Sequence, residues 1–400
     1  MNGELKKHIT LIPLILYGVG TILGAGIYVI ISEVANASGS QFPLSFVIAS
    51  IVAIFAGLSY AELSSRFPKS AGEVVYVKQA FDNKFLNTLV GYAVALTGMV
   101  TSATILKGFH GYLNVFVSSP GWLSISVMIL LLALVAIKGI KESVLVISLI
   151  TLIEISGLFL VIYFGSAHID KLPELIQKWK EIGFNSSIFI GAFIAFFAYV
   201  GFEDMVNTAE EVIDAPNVLP KAITWAIVIS TVIYFMVSLI CSLALPLEVL
   251  KTSNAPLVLV IEQNSNLSPK IMGVIALVSI VNGALVQLIM VSRMFYGMAK
   301  IEVAPKVFSK ISSRTNTPIV ATIFTASIIW LFAILFPIGN LAKATSLIII
   351  CVFILICLSL IKIKLDKNSP KPSFQVSIII PIIGGSICLL FLGNYLYSQL

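Results

Sequence analysis

The sequence has little charge for its length. Of its 400 residues, only 11% are Asp, Glu, Lys or Arg, whereas 58% are hydrophobic, and the mean hydropathy is +1.03. A soluble domain carries about a quarter charged residues. The composition therefore excludes an ordinary soluble protein and predicts an all-α polytopic membrane protein whose surroundings are the lipid bilayer. The net charge of +6 does not indicate a nucleic-acid partner, because the basic residues are scattered through short segments.

Histidine and cysteine are also scarce, with three and four residues respectively. The histidines form no H-E-x-x-H motif, and no two cysteines have C-x-x-C spacing, so we expect no metal and no cofactor. We also find no phosphate-binding P-loop and no nucleophile–base pair, so neither an ATP-driven pump nor an enzyme is expected. All four cysteines lie in apolar runs, where we expect small buried hydrophobic side chains: Cys241, Cys351, Cys357 and Cys388.

Long apolar runs fill most of the chain. A membrane-spanning helix needs about 20 mostly apolar residues, and the sequence contains eleven candidates separated by polar, Pro- or Gly-containing segments. No segment between them is long enough to form a separate soluble domain, and an amphipathic loop at 167–185 is expected on the surface. The predicted spans are 9–33, 42–65, 86–117, 121–138, 143–166, 186–208, 219–245, 269–297, 318–336, 339–362 and 376–398.

Lys and Arg are distributed unevenly between the two sides of these spans. If the N-terminus is cytoplasmic, 18 of the 25 basic residues lie in inner segments and six in outer segments, while Lys107 lies within a span. Basic residues in short loops favour the cytoplasmic side. We therefore expect a multi-pass protein of the cell membrane with its N-terminus inside and Leu400 outside.

The first span is unusually rich in glycine near its middle, in the stretch GVGTILGAGIYV from Gly18 to Val29. Glycine destabilises a helix interior by about 0.5–1 kcal/mol relative to alanine. Gly20 and Gly24 also form a small-xxx-small pattern that favours close helix packing. An unwound turn is the second interpretation, and it is tolerated in a membrane only against protein or a water-filled cavity.

The sixth span has a similar irregularity. Its sequence FFAYVGFEDMVNTAEEV places Gly201 just before Glu203 and Asp204. The first and sixth spans begin two successive five-helix halves of opposite orientation. Interruptions at corresponding positions of inverted halves indicate a transporter site at the middle of the membrane, where free N–H and C=O groups suit a carboxylate and an ammonium.

Several motifs resemble the amino acid–polyamine–organocation superfamily of permeases. The glycine motif at Gly24–Ile27, RFPKSAGEVVYV at Arg66–Val77, FFAYVGFEDMVNTAEEVIDAPNVLPKAI at Phe196–Ile223 and SRMFYGMAKIEVAPKVFSKIS at Ser292–Ser312 carry this resemblance. It covers residues 8 to about 365. It implies one transmembrane domain with a ten-helix core of two inverted repeats, 9–166 and 186–362, and an additional helix at 376–398. The family usually has twelve helices, so eleven departs from it at the C-terminus.

The resemblance also implies the positions of a substrate site. The amides that bind a substrate carboxylate correspond to Gly24, Ala25 and Gly26. The carbonyls that bind an ammonium correspond to Ile22 in the first span and to Phe197, Ala198 and Val200 in the sixth. Phe202 matches the aromatic residue that closes over the substrate.

Two charged residues lie within predicted spans, where an ionisable group indicates function by default. Glu154 stands at a position where proton-coupled relatives often carry lysine. It could carry the proton itself, bind sodium, contact a cationic substrate, or act as a neutral structural hydrogen-bonding group. Lys107 could pair with Glu154 or extend its ammonium group to the outer membrane interface.

Polar residues elsewhere allow two further hypotheses. Ser279 and Asn282 in the eighth span could complete a cation site, or they could simply hydrogen-bond between helices. Glu203 and Asp204 are expected to face the cytoplasmic vestibule. There they could form gating ion pairs with Arg66 or Arg293, or remain solvated loop charges.

Together these features predict a secondary active transporter of amino acids or related amines that works by alternating access. Coupling to protons through Glu154 is expected, as symport or exchange, with sodium as the other candidate ion. A polyamine/amino acid antiporter and a non-transporting amino-acid sensor are the alternatives, although no signalling domain is evident. Val200 and Phe202 favour a neutral substrate, and Glu154 would favour a basic one. The oligomeric state cannot be derived from the sequence.

Overall fold

The computed structural model describes residues 7–24, 26–70, 72–138, 144–300, 302–315 and 317–398. Each predicted span overlaps helix among the described residues, and the order of the elements follows the predicted order. The α-helices are α1 Leu11–Leu23, α2 Gly26–Ser38, α3 Phe42–Arg66, α4 Gly72–Phe81, α5 Lys84–Leu113, α6 Gly121–Lys138, α7 Val144–Gly165, α8 Leu172–Ile182, α9 Ser187–Ala195, α10 Ala215–Ala244, α11 Leu247–Thr252, α12 Pro256–Asn264, α13 Pro269–Lys300, α14 Ile319–Leu335, α15 Ile338–Leu365 and α16 Ile379–Tyr397.

Nine helical stretches among the described residues are long and apolar enough to cross a membrane. One of them, Leu11–Arg66, joins the first two predicted spans, and Ile319–Leu335 is a shorter apolar helix. The all-α polytopic class is therefore confirmed. The count of eleven crossings, the inverted repeats at 9–166 and 186–362 and the additional span at 376–398 remain predictions.

The segment expected to be a loop at 167–185 is largely helical, so that expectation was wrong in its secondary structure. A 3₁₀ turn at Ser166–Lys171 leads into α8, and Gly183 ends α8 with a φ of +70°. Proline in the first turn and glycine after the last are typical helix boundaries. None of the α8 residues is buried, so its expected surface position is confirmed.

The longest helices pack against one another to form the core. α10 lies along α3, α13 lies along α5, and α15 packs between α5 and α16. α1 lies against both α7 and α10. The expectation of four buried cysteines is confirmed for three of them, whereas Cys351 is exposed on α15. Apolar side chains on that face of a membrane helix contact lipid, so a small thiol there needs no protein partner.

A charged cluster ties the C-terminal part of the chain to α3. The fully buried Glu62 accepts from Arg66 at 2.7 Å and from Lys364 of α15 at 2.7 Å, and both cations are less than a tenth exposed. The connection between α15 and α16 is hydrogen-bonded to the same two side chains, Glu62 and Lys364. Val376 N donates to Glu62 Oε2 at 2.8 Å, and Lys364 Nζ donates to Val376 O at 2.6 Å.

We expect Glu62→Ala to lower the free energy of unfolding by roughly 3–5 kcal/mol, because it leaves two buried cations without their shared carboxylate. Thermal unfolding of the purified protein in detergent measures the change. The control is Glu248→Ala, which removes the partner of Lys251 from a site where Glu248 is 82% exposed. Such surface pairs contribute about 0–1 kcal/mol. Equal losses in the two variants would contradict the structural role of Glu62.

Candidate functional site

The glycine motif of the first span lies at the boundary between two helices, and Gly24 itself keeps helical φ and ψ angles. α1 ends at Leu23, Gly24 N donates to Gly20 O at 2.9 Å, and α2 begins at Gly26. Ala25, for which a carboxylate-binding amide is predicted, lies outside the described residues. Gly20 also allows close packing, because a Cβ there would collide with Thr151 of α7. The close-packing interpretation is therefore supported at Gly20, whereas an unwound turn at Gly24–Gly26 stays a prediction.

The sixth span is interrupted over a longer stretch. α9 passes into a 3₁₀ turn at Phe196–Tyr199, Val200 is extended, and a second 3₁₀ segment runs over Glu203–Glu211. Gly201 between them has a φ of +130°, a conformation that L side chains rarely adopt. A Cβ on Gly201 would also lie 2.5 Å from Thr21 O in α1. Glycine is therefore required here by both conformation and space.

The two interruptions meet in space. Thr21 Oγ1 donates to Gly201 O at 3.0 Å, across 180 residues of sequence. Gly26 lies against the same segment, because a Cβ on it would be 2.7 Å from Ala198 Cα. The glycine-rich stretch of the first span is therefore in close backbone contact with the interrupted part of the sixth span.

Tyr234 of α10 links the two interrupted spans. Its fully buried hydroxyl lies 2.6 Å from Ile22 O and 2.8 Å from Ala198 O, both of which are acceptors. The resemblance assigns these two carbonyls to a substrate ammonium. In this conformation they already share the Tyr234 proton, so an ammonium group would have to compete with or replace the tyrosine. The sequence reasoning missed Tyr234, since nothing in one apolar helix shows which neighbour a tyrosine faces.

A small central pocket of about 20 Å³ lies at this junction. It adjoins four of the predicted substrate-site residues, Ile22, Gly26, Phe197 and Val200, together with Asn282 of α13. The remaining lining comes from α1, α5 and α13: Gly20, Thr21, Thr101, Ile105, Gly283, Val286 and Gln287. The structure thus brings half of the predicted substrate residues together around one cavity. Their roles in binding remain predictions.

Phe202 does not line this pocket, contrary to the expectation that it closes over the substrate. It is fully buried and packs against Tyr60 and Phe353, with ring centroids 5.6 and 5.2 Å away. The turn at Gly201 directs the following side chain into this aromatic cluster. Gly24 and Ala198 also lie outside the pocket lining, although the Ala198 carbonyl is held by Tyr234.

Glu154 is fully buried in α7, close to the first interruption. A Cβ on Gly24 would lie 3.5 Å from Glu154 Oε1, and the Tyr28 hydroxyl donates to the Glu154 backbone carbonyl at 3.0 Å. Neither carboxyl oxygen has a hydrogen-bond partner among the described residues. A buried polar group without a partner costs free energy, so a proton or a bound cation would be stabilising here.

The other predicted coupling residues are placed differently. Ser279 is buried near Glu154, but its hydroxyl donates to Ile275 O of its own helix at 3.0 Å. Asn282 faces the central pocket. Lys107 does not pair with Glu154. Lys107 lies near the C-terminal end of α5, on the predicted outer side. There it borders a separate cavity of about 340 Å³, together with Glu33.

Glu203 and Asp204 are buried, so the interpretation as solvated loop charges is wrong. Glu203 Oε2 accepts from Gly201 N at 2.9 Å, and Asp204 Oδ2 accepts from Gln287 Nε2 at 2.9 Å. Arg66 cannot serve as their partner, because it is bound to Glu62 at the end of α3. The tight turn at Gly201 supplies Glu203 with a backbone donor instead.

A larger cavity of about 330 Å³ adjoins the central pocket on the predicted cytoplasmic side, and Val286 lines both. Asp204 and Arg293 both border it, so the expectation that Asp204 faces this vestibule is consistent with the structure. The other lining residues are Tyr17, Ser70, Glu73, Val94, Ile147, Asn207, Thr208, Glu211, Ile289, Met290 and Met294. The central pocket is thus adjacent to a cavity on one side of the membrane.

Thr101 and Gln287 were not anticipated from the sequence. Both are buried polar residues in apolar helices, and both line the central pocket. A glutamine in the run GALVQLIMV of α13 is a signal for an intramembrane polar contact. The single sequence could not show that this contact faces the pocket.

Comparison with known proteins places residues 9–398 within the model of a family described as amino acid permease. A branched-chain amino acid permease, BcaP, of Bacillus subtilis is 27% identical over 96% of this chain and 87% of its own length. A methylthioribose transporter of the same bacterium is 27% identical over 98% and 89%. The vacuolar cationic amino acid transporter 4 of Arabidopsis thaliana is 28% identical over 86% and 61%.

We expect Gly26→Ala to abolish transport activity, because its Cβ would lie 2.7 Å from Ala198 Cα and 2.8 Å from Tyr234 Oη. Overpacking of this kind also lowers stability by roughly 1–3 kcal/mol. Uptake into proteoliposomes and thermal unfolding measure the two effects. Gly297→Ala in α13 is the matched control, since nothing lies within 4 Å of its Cβ position. Unchanged uptake by the Gly26 variant would show that the two interruptions do not need this close contact.

We expect Tyr234→Phe to lower the free energy of unfolding by about 1–3 kcal/mol, because two buried carbonyls lose their hydroxyl partner. The measurement is thermal unfolding in detergent. Tyr163→Phe provides the comparison, since Tyr163 is exposed on α7. The bridging role of Tyr234 is refuted if both variants unfold at the wild-type temperature.

Proposed function

Because the chain belongs to the amino acid permease family, we propose that it is a secondary active transporter of amino acids or related amines. The observation that carries the proposal is the meeting of two interrupted spans beside a central pocket. Half-helix ends offer amide and carbonyl groups of opposite partial charge, which suits the carboxylate and ammonium of an amino acid. The relatives named above are likewise permeases and transporters.

Alternating access is the transport mechanism that we propose. The central pocket shares Val286 with the vestibule on the predicted cytoplasmic side, which is the arrangement expected of a site that opens inward. The hydrogen bond between Gln287 and Asp204 lies between these two cavities. Opening of the opposite side would require α2 to separate from α5 and α15, and α9 to separate from α15. We propose that the protein does this in the cell membrane, with its N-terminus in the cytoplasm.

The coupling group that we propose is Glu154. Its carboxyl oxygens are buried without a partner in the described part of the chain, close to the end of α1. Proton binding would remove the charge from this apolar site, and release would restore it, so the protonation state can bias the packing of α1 against α7. Sodium binding is the second possibility, because a carboxylate and helix-end carbonyls are oxygen ligands.

Uptake of labelled amino acids into proteoliposomes that contain only this protein tests the transport proposal. Imposed proton and sodium gradients, applied separately, identify the coupling ion, and exchange with internal amino acid distinguishes symport from antiport. A sensor would bind amino acids in a thermal-shift assay and yet give no uptake above that of protein-free liposomes.

We expect Glu154→Gln to retain exchange but to lose the stimulation of uptake by a pH gradient, because glutamine cannot release a proton. The same assay with a sodium gradient distinguishes a proton carrier from a sodium ligand. Glu174→Gln is the matched control on the exposed helix α8. If Glu154→Gln keeps an undiminished response to the pH gradient, Glu154 is not the proton carrier.

A further inference from the structure

The amide side chain of Gln287 lies where the central pocket adjoins the vestibule. Gln287 projects from α13, lines the central pocket and is only 6% exposed. Its Nε2 donates to Oδ2 of Asp204, which lines the vestibule, at 2.9 Å. The NH₂ group of Gln287 is therefore held by Asp204, which belongs to the 3₁₀ segment Glu203–Glu211.

This hydrogen bond determines which way the amide points. Nε2 of Gln287 donates to Asp204 Oδ2, so the carbonyl oxygen on the other branch of the amide faces away from that carboxyl group. Oε1 is directed toward α5, because a Cβ on Gly98 would lie 2.9 Å from it. Among the described residues, this buried oxygen has no hydrogen-bond donor.

A second polar atom without a partner lies on the same face of α5. Thr101 follows Gly98 by one helical turn, is buried and lines the same pocket as Gln287. Its Oγ1 atom has no partner within the described ranges of the chain. Ser102 of the same turn approaches Ala284 O of α13 at 3.4 Å, so the two helices lie close together at this level.

We propose that Gln287 determines side-chain specificity: its carbonyl oxygen, assisted by the Thr101 hydroxyl, accepts a hydrogen bond from the substrate's side chain. This inference rests on the proposed amino acid transport. The preferred substrates are then amino acids whose side chains end in an N–H or O–H donor, such as an amide or an ammonium. The carboxylate of Asp204 behind the amide strengthens this acceptor, since bonds in a chain polarise one another.

An aliphatic side chain would fill the same space but leave Oε1 of Gln287 buried and unpaired. Sites built to hydrogen-bond a substrate reject analogues that lack the donor more strongly than apolar pockets reject small changes in size. Glutamine and methionine are a suitable pair to measure this, because they have similar length and volume. A purely structural role of Gln287, holding Asp204 in place, would affect both substrates alike.

The experiment measures kcat/KM for the uptake of glutamine and of methionine by proteoliposomes. The preference is the ratio of these two values. We expect the wild-type protein to favour glutamine by at least about tenfold, and Gln287→Met to reduce that preference by about tenfold or more. Gln177→Met, on the exposed surface of α8, is the matched control and should keep the wild-type ratio. Thr101→Val should shift the ratio in the same direction by a smaller factor, and it provides an independent test should Gln287→Met not fold.

Two results would overturn the inference while leaving the proposed function intact. One is a wild-type protein that transports amino acids without favouring glutamine over methionine. The other is a preference that survives in both Gln287→Met and Thr101→Val. Absence of uptake and of thermal stabilisation with any amino acid would refute the proposed function itself, and the specificity inference with it.

Discussion

Lipid offers no water to a peptide group, and this constraint determines where the chain can interrupt its helices. Each unpaired N–H or C=O within the hydrocarbon region costs several kcal/mol. The interrupted part of the sixth span therefore lies inside the bundle against the glycine-rich stretch of the first span, where protein groups satisfy part of its backbone. The Thr21 hydroxyl donates a hydrogen bond to Gly201 O. The Tyr234 hydroxyl donates to the carbonyl oxygens of Ile22 and Ala198. Polar side chains of α5 and α13, namely Thr101, Asn282 and Gln287, line the central pocket beside them.

Much of this arrangement could be predicted from the sequence. The glycines at positions 24, 26 and 201 are costly within helices, and their occurrence at corresponding places in two apolar runs favoured interruptions over close packing alone. The family resemblance supplied Ile22, Phe197 and Val200 as neighbours of the same site. Backbone groups are easy to predict in this way, because their position depends on the course of the chain and not on a side-chain rotamer.

Side-chain partners were much harder to predict. Glu203 and Asp204 were expected either to pair with Arg66 or Arg293 or to remain solvated, but they hydrogen-bond to a backbone amide and to Gln287 instead. A helix in a membrane bundle has neighbours on several sides, and hydropathy alone does not say which neighbour a polar residue meets. For the same reason Tyr234 and Thr101 could not be assigned from a single sequence, although both lie in correctly predicted spans.

The charged cluster at the end of α3 has a consequence for the boundaries of the folding unit. Glu62 accepts a backbone hydrogen bond from Val376, and Ser65 Oγ accepts from Ser373 N and Phe374 N at 3.0 Å each. The connection between α15 and α16 thus donates a further hydrogen bond to the carboxylate of Glu62 in α3. A chain cut after α15 would leave Glu62 and Ser65 with open acceptors inside the bundle. The connection that precedes the last helix is therefore part of the scaffold, and a truncation after α15 would remove these hydrogen bonds.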